Sequence, residues 1–121
     1  MSGCSSTRTQ AIVSDYDTAK RLLKQGELQK ALVLADGELQ RCGYSATLCW
    51  KSRLLKAEIL VQSGSNEEAL ALLGTSATPP TQDLQAQRLM HQGLALFRLS
   101  DFSRADEAFK EALTCHEPSA S

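Results

Sequence analysis

The sequence predicts an all-α fold of antiparallel helix pairs, and three observations support that prediction. Ala and Leu dominate the 121 residues and aromatic residues make up 5% of them, a composition that favours helices over a β-rich core. Apolar residues recur at spacings of three and four along most of the chain. A helix–turn–helix plan repeats, with Ala31, Ala69 and Ala105 at equivalent places, 38 and 36 residues apart. A period of that length is typical of helical repeat proteins.

The first pair of helices is predicted from Ile12 to about Gln25 and from Leu28 to Cys42. The apolar face of the first helix comprises Ile12, Tyr16, Ala19, Leu22 and Leu23. Gly26 and Gly43 follow the two helices, at places where a residue able to take positive φ ends a helix. Residues 1–11 are rich in Ser and Thr and have no period, so we expect a flexible leader there.

The second pair is predicted from Thr47 to Ser63 and from Glu67 to Leu73. Asn66 is the expected N-cap of the short fourth helix, and Glu67 and Glu68 lie in its first turn, where the helix dipole favours acids. Gly74 and a Pro-Pro step at 79–80 end that helix.

The third pair is predicted from Thr81 to Leu99 and from Asp101 to Cys115. Together the pairs give one domain over residues 12–117, with repeats at about 12–45, 47–80 and 81–117, and residues 118–121 form a tail. One domain is what a chain of this length supports.

The small residues of the three pairs resemble those of the tetratricopeptide repeat. The third pair matches best, through Gly93, Leu96, Phe102, Ala105, Phe109 and Ala112. The second pair has Ser76 where the family has Ala, and the first departs from the pattern with Ala35 and Glu38. The resemblance implies a three-repeat, right-handed solenoid in which small residues let paired helices cross closely.

The resemblance also implies a concave groove lined by the first helix of each pair, where a partner peptide or helix binds. In that register Phe97 and Arg98 face the groove, whereas Phe102 and Phe109 turn into the stack. The positions that match the family's groove are Tyr16, Lys20, Lys51, Leu54, Glu58, Gln87, Met90, Leu94, Phe97 and Arg98, with Leu23 and Val61 beside them. Tyr16 and Lys20 replace the Lys and Asn with which some members clamp a terminal carboxylate, so a chaperone-tail ligand is disfavoured.

The four cysteines contain no Cys-x-x-Cys pair and no zinc-ligand spacing. Cys42 and Cys49 could face each other across a turn, but the pattern favours free thiols that pack as small hydrophobic residues. Ser2-Gly3-Cys4 resembles the end of a bacterial lipoprotein signal, in which the cysteine receives the lipid. Cys4 is therefore either a lipid anchor, which would put the protein at the cell envelope, or a cysteine in a loose tail, which would fit a cytoplasmic protein.

Neither catalysis nor a cofactor is expected. The two histidines, His91 and His116, have no metal-ligand spacing, and no Gly-rich phosphate loop occurs. We expect His91 to be a surface or partly packed residue. The net charge of −1 lacks the clustered basic excess of a nucleic-acid-binding protein.

The sequence thus predicts a protein–protein interaction module without catalytic or metal-binding residues. Two alternatives stay open. One is a structural or assembly role, in which the apolar face of the last helix (Phe109, Ala112, Leu113) packs on a second copy or a following domain. The other is a regulatory segment of a larger protein that carries a catalytic domain elsewhere. A membrane contact is expected only through a lipid on Cys4.

Overall fold

The computed structural model describes residues 15–75 and 77–116, and this part of the chain is all-helical, as predicted. Its helices are α1, described over residues 15–24, and then α2 (Leu28–Arg41), α3 (Ala46–Gln62), α4 (Asn66–Leu73), α5 (Gln82–Arg98) and α6 (Phe102–His116). The predictions for the leader, Cys4, Ser76, the tail and the chain before residue 15 lie outside the described residues.

Equivalent turns join the helices of each pair, α1–α2, α3–α4 and α5–α6. Gly26, Gly64 and Ser100 all have positive φ, at 81°, 87° and 66°. In each turn the amide one residue later donates to a carbonyl five residues back, as in a Schellman C-cap: Glu27 to Leu22, Ser65 to Leu60, and Asp101 to Leu96, at 2.8–2.9 Å. Because such short turns reverse the chain, the two helices of each pair are antiparallel.

Small residues are buried at equivalent places in the three helix pairs. Ala19, Ala57 and Gly93 are buried in α1, α3 and α5, and Ala31, Ala69 and Ala105 are buried in the second helices. At the third crossing the ring of Phe109 packs directly on Gly93. A Cβ added at Gly93 would lie 2.5 Å from Cε1 of Phe109, so this approach requires glycine.

The central helix α3 is buried on two sides. Leu55 and Ile59 pack with α1 and α2 in one core cluster, whereas Trp50, Leu54 and Val61 pack with α4 and α5 in another. A helix covered on two sides needs apolar residues around most of its circumference. This explains why the apolar residues of α3 do not follow a single narrow stripe.

Arginines from α3 and α5 close the C-terminal end of the short helix α4. Arg88 donates from Nε to the carbonyl of Leu73 at 2.9 Å and from Nη2 to that of Thr75 at 3.0 Å. The guanidinium groups of Arg53 and Arg88 lie 5.4 and 5.3 Å from the ring centroid of Trp50. Positive charge at a helix C-terminus is favourable, and these bonds hold α4 between α3 and α5.

The prediction that Asn66 caps α4 is wrong. Ser65 occupies the N-cap position and makes no side-chain cap bond, while Asn66 is the first residue of the helix. The Asn66 side chain is buried, and its Nδ2 donates to the carbonyl of Gly64 at 3.4 Å. Because the turn at Gly64 is the same as in the other pairs, the helix begins one residue earlier than the capping preference alone suggests.

The preference for free thiols at Cys42 and Cys49 is also wrong, because these two residues form a disulfide. The left-handed backbone at Gly43 (φ 66°) folds the α2–α3 connection back on itself. The two Cα atoms are then 5.2 Å apart, within the range that a disulfide spans. The spacing of seven residues does not reveal this approach, whereas the turn does. Cys115 is free and half-buried.

Candidate functional site

The first turns of α1, α3 and α5, as far as they are described, surround an open groove of about 570 Å³. α1 contributes Tyr16 and Lys20, and α3 contributes Thr47 and Lys51. The α5 side is formed by its N-cap Thr81 and by Asp83, Leu84 and Gln87. One helix from each of the three pairs therefore lines the same cavity.

Four of the predicted groove residues lie together here: Tyr16, Lys20, Lys51 and Gln87. Sequence reasoning missed the other four lining residues, Thr47, Thr81, Asp83 and Leu84. A signal was available for two of them. Thr81 and Asp83 mark the predicted start of the fifth helix, and side chains at a helix start border a groove formed by helix ends.

Further predicted groove residues form an exposed apolar stripe along α5. Met90, Leu94 and Phe97 follow Gln87 at spacings of three, four and three, which puts all of them on one helix face. These three large side chains are exposed, and Phe97 most of all, at 55%. Arg98 is exposed next to the stripe but does not line the cavity. The stripe continues the Gln87 side of the groove toward the C-terminal end of α5.

Leu54, Leu23 and Val61 cannot contact a partner, because all three lie in the core; Leu54 is 3% exposed. The groove assignment of these residues is wrong. Since α3 is covered by helices on two sides, Leu54 and Val61 pack with α4 and α5. Leu23, on α1, packs in the cluster that α1 forms with α2 and α3.

Phe102 does not turn into the stack as predicted. It is 57% exposed and meets Phe97 edge to face, with ring centroids 5.2 Å apart. Phe109 does pack inward, on Gly93. Ala112 is buried as well, so of the three residues in the predicted assembly face only Leu113 is exposed.

A smaller cavity of about 210 Å³ adjoins the groove. Tyr16, Lys20 and Lys51 border both spaces, so the smaller cavity opens from the groove between α1 and α3. The remaining lining residues are Asp17, Glu38, Leu48 and Ser52. Glu38 comes from α2 and therefore lies on the inner side of the cavity, behind the helices that form the groove.

Glu38 is fully buried, at 0% exposure, and neither carboxylate oxygen has a hydrogen-bond partner within the described residues. Burial raises the pKa of Glu38 to about 7, and the nearby charge of Asp15 adds to this rise, while Arg41 opposes it. Arg41 is itself held by Asp15 in an ion pair of 2.9 Å. Sequence reasoning noted Glu38 only as a departure from the repeat pattern and did not identify it as a site residue.

Tyr16 borders both cavities and is affected by the charges of nearby carboxylates. Burial raises the pKa of the Tyr16 hydroxyl, and the carboxylates of Glu38 and Glu58 raise it further. The Lys20 ammonium lies 5.5 Å from the centroid of the Tyr16 ring, within the range of a cation–π contact. Glu58, a predicted groove residue, is half-buried and acts here through its charge.

His91 is half-buried on α5, in agreement with the prediction of a partly packed residue. Its Nδ1 is buried without a hydrogen-bond partner among the described residues. Burial lowers the pKa of His91, and the Glu58 charge opposes that shift. Over residues 15–75 and 77–116, no three His, Cys, Asp or Glu side chains are grouped so as to hold a metal ion.

None of the helices in the described part of the chain is both long enough and apolar enough to span a bilayer. Comparisons with protein-family models, curated proteins and solved structures find no match to this chain. The groove, the apolar stripe and the buried carboxyl group are therefore the features from which a function can be inferred.

Proposed function

We propose that this chain is a three-repeat, tetratricopeptide-like solenoid that binds an extended peptide or a helix of a partner protein. The three equivalent turns and the small residues at each crossing support the repeat assignment, because they recur with the same steps of 38 and 36 residues. In such arrays the stacked first helices form a continuous binding surface.

The groove is the single observation that carries the binding proposal. Tyr16, Lys20, Lys51 and Gln87 come from three different helices and border one open cavity. From Gln87 the apolar stripe of α5 extends this surface with Met90, Leu94 and Phe97, all exposed. Exposed apolar side chains beside polar ones are typical of interaction surfaces.

The chemistry of the groove sets the kind of partner. Lys20 and Lys51 at its rim attract acidic side chains, while the stripe on α5 accepts apolar ones. A partner segment with acidic residues at one end and apolar residues at the other fits this arrangement. A peptide carrying both would bind through area burial on the stripe and through charge complementarity at the rim.

The disulfide between Cys42 and Cys49 supports an oxidising compartment, where such bonds persist. Within the proposal this favours a module at the cell envelope over a cytoplasmic one, in keeping with a lipid on Cys4. Mass spectrometry of the native protein would show the added mass of a lipid at Cys4 if the anchor exists, and an unmodified Cys4 would remove that part of the proposal.

The binding proposal is tested by selecting peptides from a phage-displayed random library on the wild-type protein. Affinities of the selected peptides are then measured by fluorescence anisotropy for the wild type and for Lys51→Glu. We expect the reversal to weaken binding about tenfold or more, since it replaces an attraction with a repulsion at the groove rim. Circular dichroism should show the same helicity for both proteins.

Lys30→Glu is the matched control, because Lys30 is also exposed but lies on α2 and lines neither cavity. It makes the same change in net charge and should leave affinity within about twofold at physiological salt. Failure to select any peptide, or equal losses in the two variants, would contradict the proposed groove.

A further inference from the structure

The smaller cavity has a size that suits a single side chain. At about 210 Å³ it is below the size of pockets that enclose drug-sized ligands or cofactors. It opens from the groove, with which it shares Tyr16, Lys20 and Lys51. A peptide lying in the groove can therefore extend a single long side chain into it.

Glu38 gives this cavity its chemical character. Both of its oxygens are buried and unpartnered among the described residues, and a buried polar group without a hydrogen bond destabilises the fold. Two free carboxylate oxygens are the acceptors that a guanidinium or ammonium group requires, and a guanidinium can meet both at once.

We propose that the cavity receives a basic side chain, arginine or lysine, of the bound peptide, and that Glu38 pairs with it. This inference rests on the proposed function, since it names the chemistry of the partner segment. It also gives a reason for the buried carboxyl group, whose oxygens have no hydrogen-bond partner among the described residues.

The charges around the cavity specify the neighbours of that basic residue. Asp17 lines the cavity beside Glu38 and adds negative charge for the inserted group. Lys20 and Lys51 stand where the cavity meets the groove, and they favour acidic residues on either side of the basic one. The partner segment is therefore a basic residue flanked by acidic residues.

Proton binding follows from the burial of Glu38. Because its pKa is raised to about 7 in the free protein, the carboxyl group is mostly protonated at pH 6 and mostly ionised at pH 8. A cation binds the ionised form, so affinity should rise about tenfold between these two values, and binding at pH 7 should release about half a proton per bound peptide. The charged or titratable groups that face Glu38 are Asp15, Tyr16, Asp17 and Lys20 from α1, Arg41 from α2 and Lys51 from α3.

The probe is the peptide acetyl-Glu-Arg-Glu-amide, titrated into the ¹⁵N-labelled protein and followed by NMR. The backbone amides of Tyr16, Leu48 and Ser52 should shift, because they belong to residues that line the cavity. The same peptide with norleucine in place of arginine should bind at least about tenfold more weakly, since it lacks the charge-assisted hydrogen bonds.

Glu38→Gln keeps the size of the side chain and removes its charge, so it should lose the preference for arginine over norleucine and the dependence on pH. Glu68→Gln, an exposed change on α4, should keep both. Equal binding of the two probes by the wild type, or an arginine preference that persists in Glu38→Gln, would overturn the inference.

The outcomes separate this inference from the binding proposal on which it rests. Library peptides that respond to Lys51→Glu but contain no basic residue would leave the groove in place and remove the role of Glu38. If no library peptide is selected, yet the arginine probe shifts the cavity amides in a Glu38-dependent manner, the cavity stands and the extended groove does not.

Discussion

The first and third helix pairs have the same turn geometry, and their second helices carry different residues at a buried position that borders the candidate site in the first pair. In both, a left-handed residue ends the first helix and small residues occupy the crossing. Ala31 and Ala105 occupy equivalent places in the two pairs. Seven residues later, however, the first pair has Glu38 and the third has Ala112. Both are buried, at 0% and 1% exposure. The third pair uses this position for packing, whereas the first directs a carboxyl group toward a cavity.

A second difference lies in the turns. The first pair takes its left-handed conformation at Gly26, while the third takes it at Ser100, with φ 66°. A residue with a Cβ is disfavoured in this region by roughly 1–2 kcal/mol. Each pair therefore departs from the shared pattern at one of the two places compared. The first departs from the pattern beside the candidate site, and the third departs at a turn away from it.

The largest effect is expected when the third pair is given the carboxylate of the first. Ala112→Glu introduces a longer, charged side chain at a position that is 1% exposed. We expect a loss of about 3–5 kcal/mol in the free energy of unfolding, measured by urea denaturation at neutral pH.

The neighbouring substitution Leu113→Glu is the control, because Leu113 is exposed on the same helix. It should change stability by no more than about 0.5 kcal/mol. If Ala112→Glu and Leu113→Glu lowered the free energy of unfolding by similar amounts, Ala112 would not be buried as the structure shows.

A smaller effect, of opposite sign, is expected when the first pair loses its carboxylate. Burial raises the pKa of Glu38 from 4.5 to about 7, so folding disfavours the ionised form. This destabilisation is absent below pH 4.5, grows as pH rises toward 7, and stays constant above that. Glu38→Gln should therefore stabilise the protein by about 2–3 kcal/mol at pH 8, since one unit of pKa shift corresponds to about 1.4 kcal/mol.

The measurement is the free energy of unfolding of both proteins at pH 4 and pH 8. The two curves should nearly coincide at the acidic value and separate at the basic one. A variant that is equally stable at pH 8, or less stable, would show that Glu38 finds a partner in the fold. A gain in stability together with a loss of the arginine preference would fit a residue retained for binding at a cost in stability.

The smallest effect is expected when the third turn is made like the first. Ser100→Gly relieves a left-handed serine and should stabilise the protein by about 1 kcal/mol, seen as a higher thermal midpoint. Ser103→Gly, in the first turn of α6 and exposed, should instead destabilise by up to about 0.5 kcal/mol, because glycine has a lower helix propensity than serine. Equal shifts would mean that the backbone at Ser100 is unstrained.

The candidate site was only partly predictable. Tyr16, Lys20, Lys51 and Gln87 were identified from a repeat register, and they do border one groove. Leu54 was assigned to the groove by the same register and is in the core. A register states which face of a helix a residue occupies, but it does not state how many neighbouring helices cover that face.

The sequence alone determined most of the helices and the turns between them, because these depend on local spacing and on residues such as Gly26 and Gly64. The tertiary structure decided which side chains are covered and what they meet. It brought Cys42 within reach of Cys49 and left the oxygens of Glu38 without partners beside an open cavity. Such contacts depend on the relative placement of separate helices, and hydrophobic spacing within one helix carries no information about that placement.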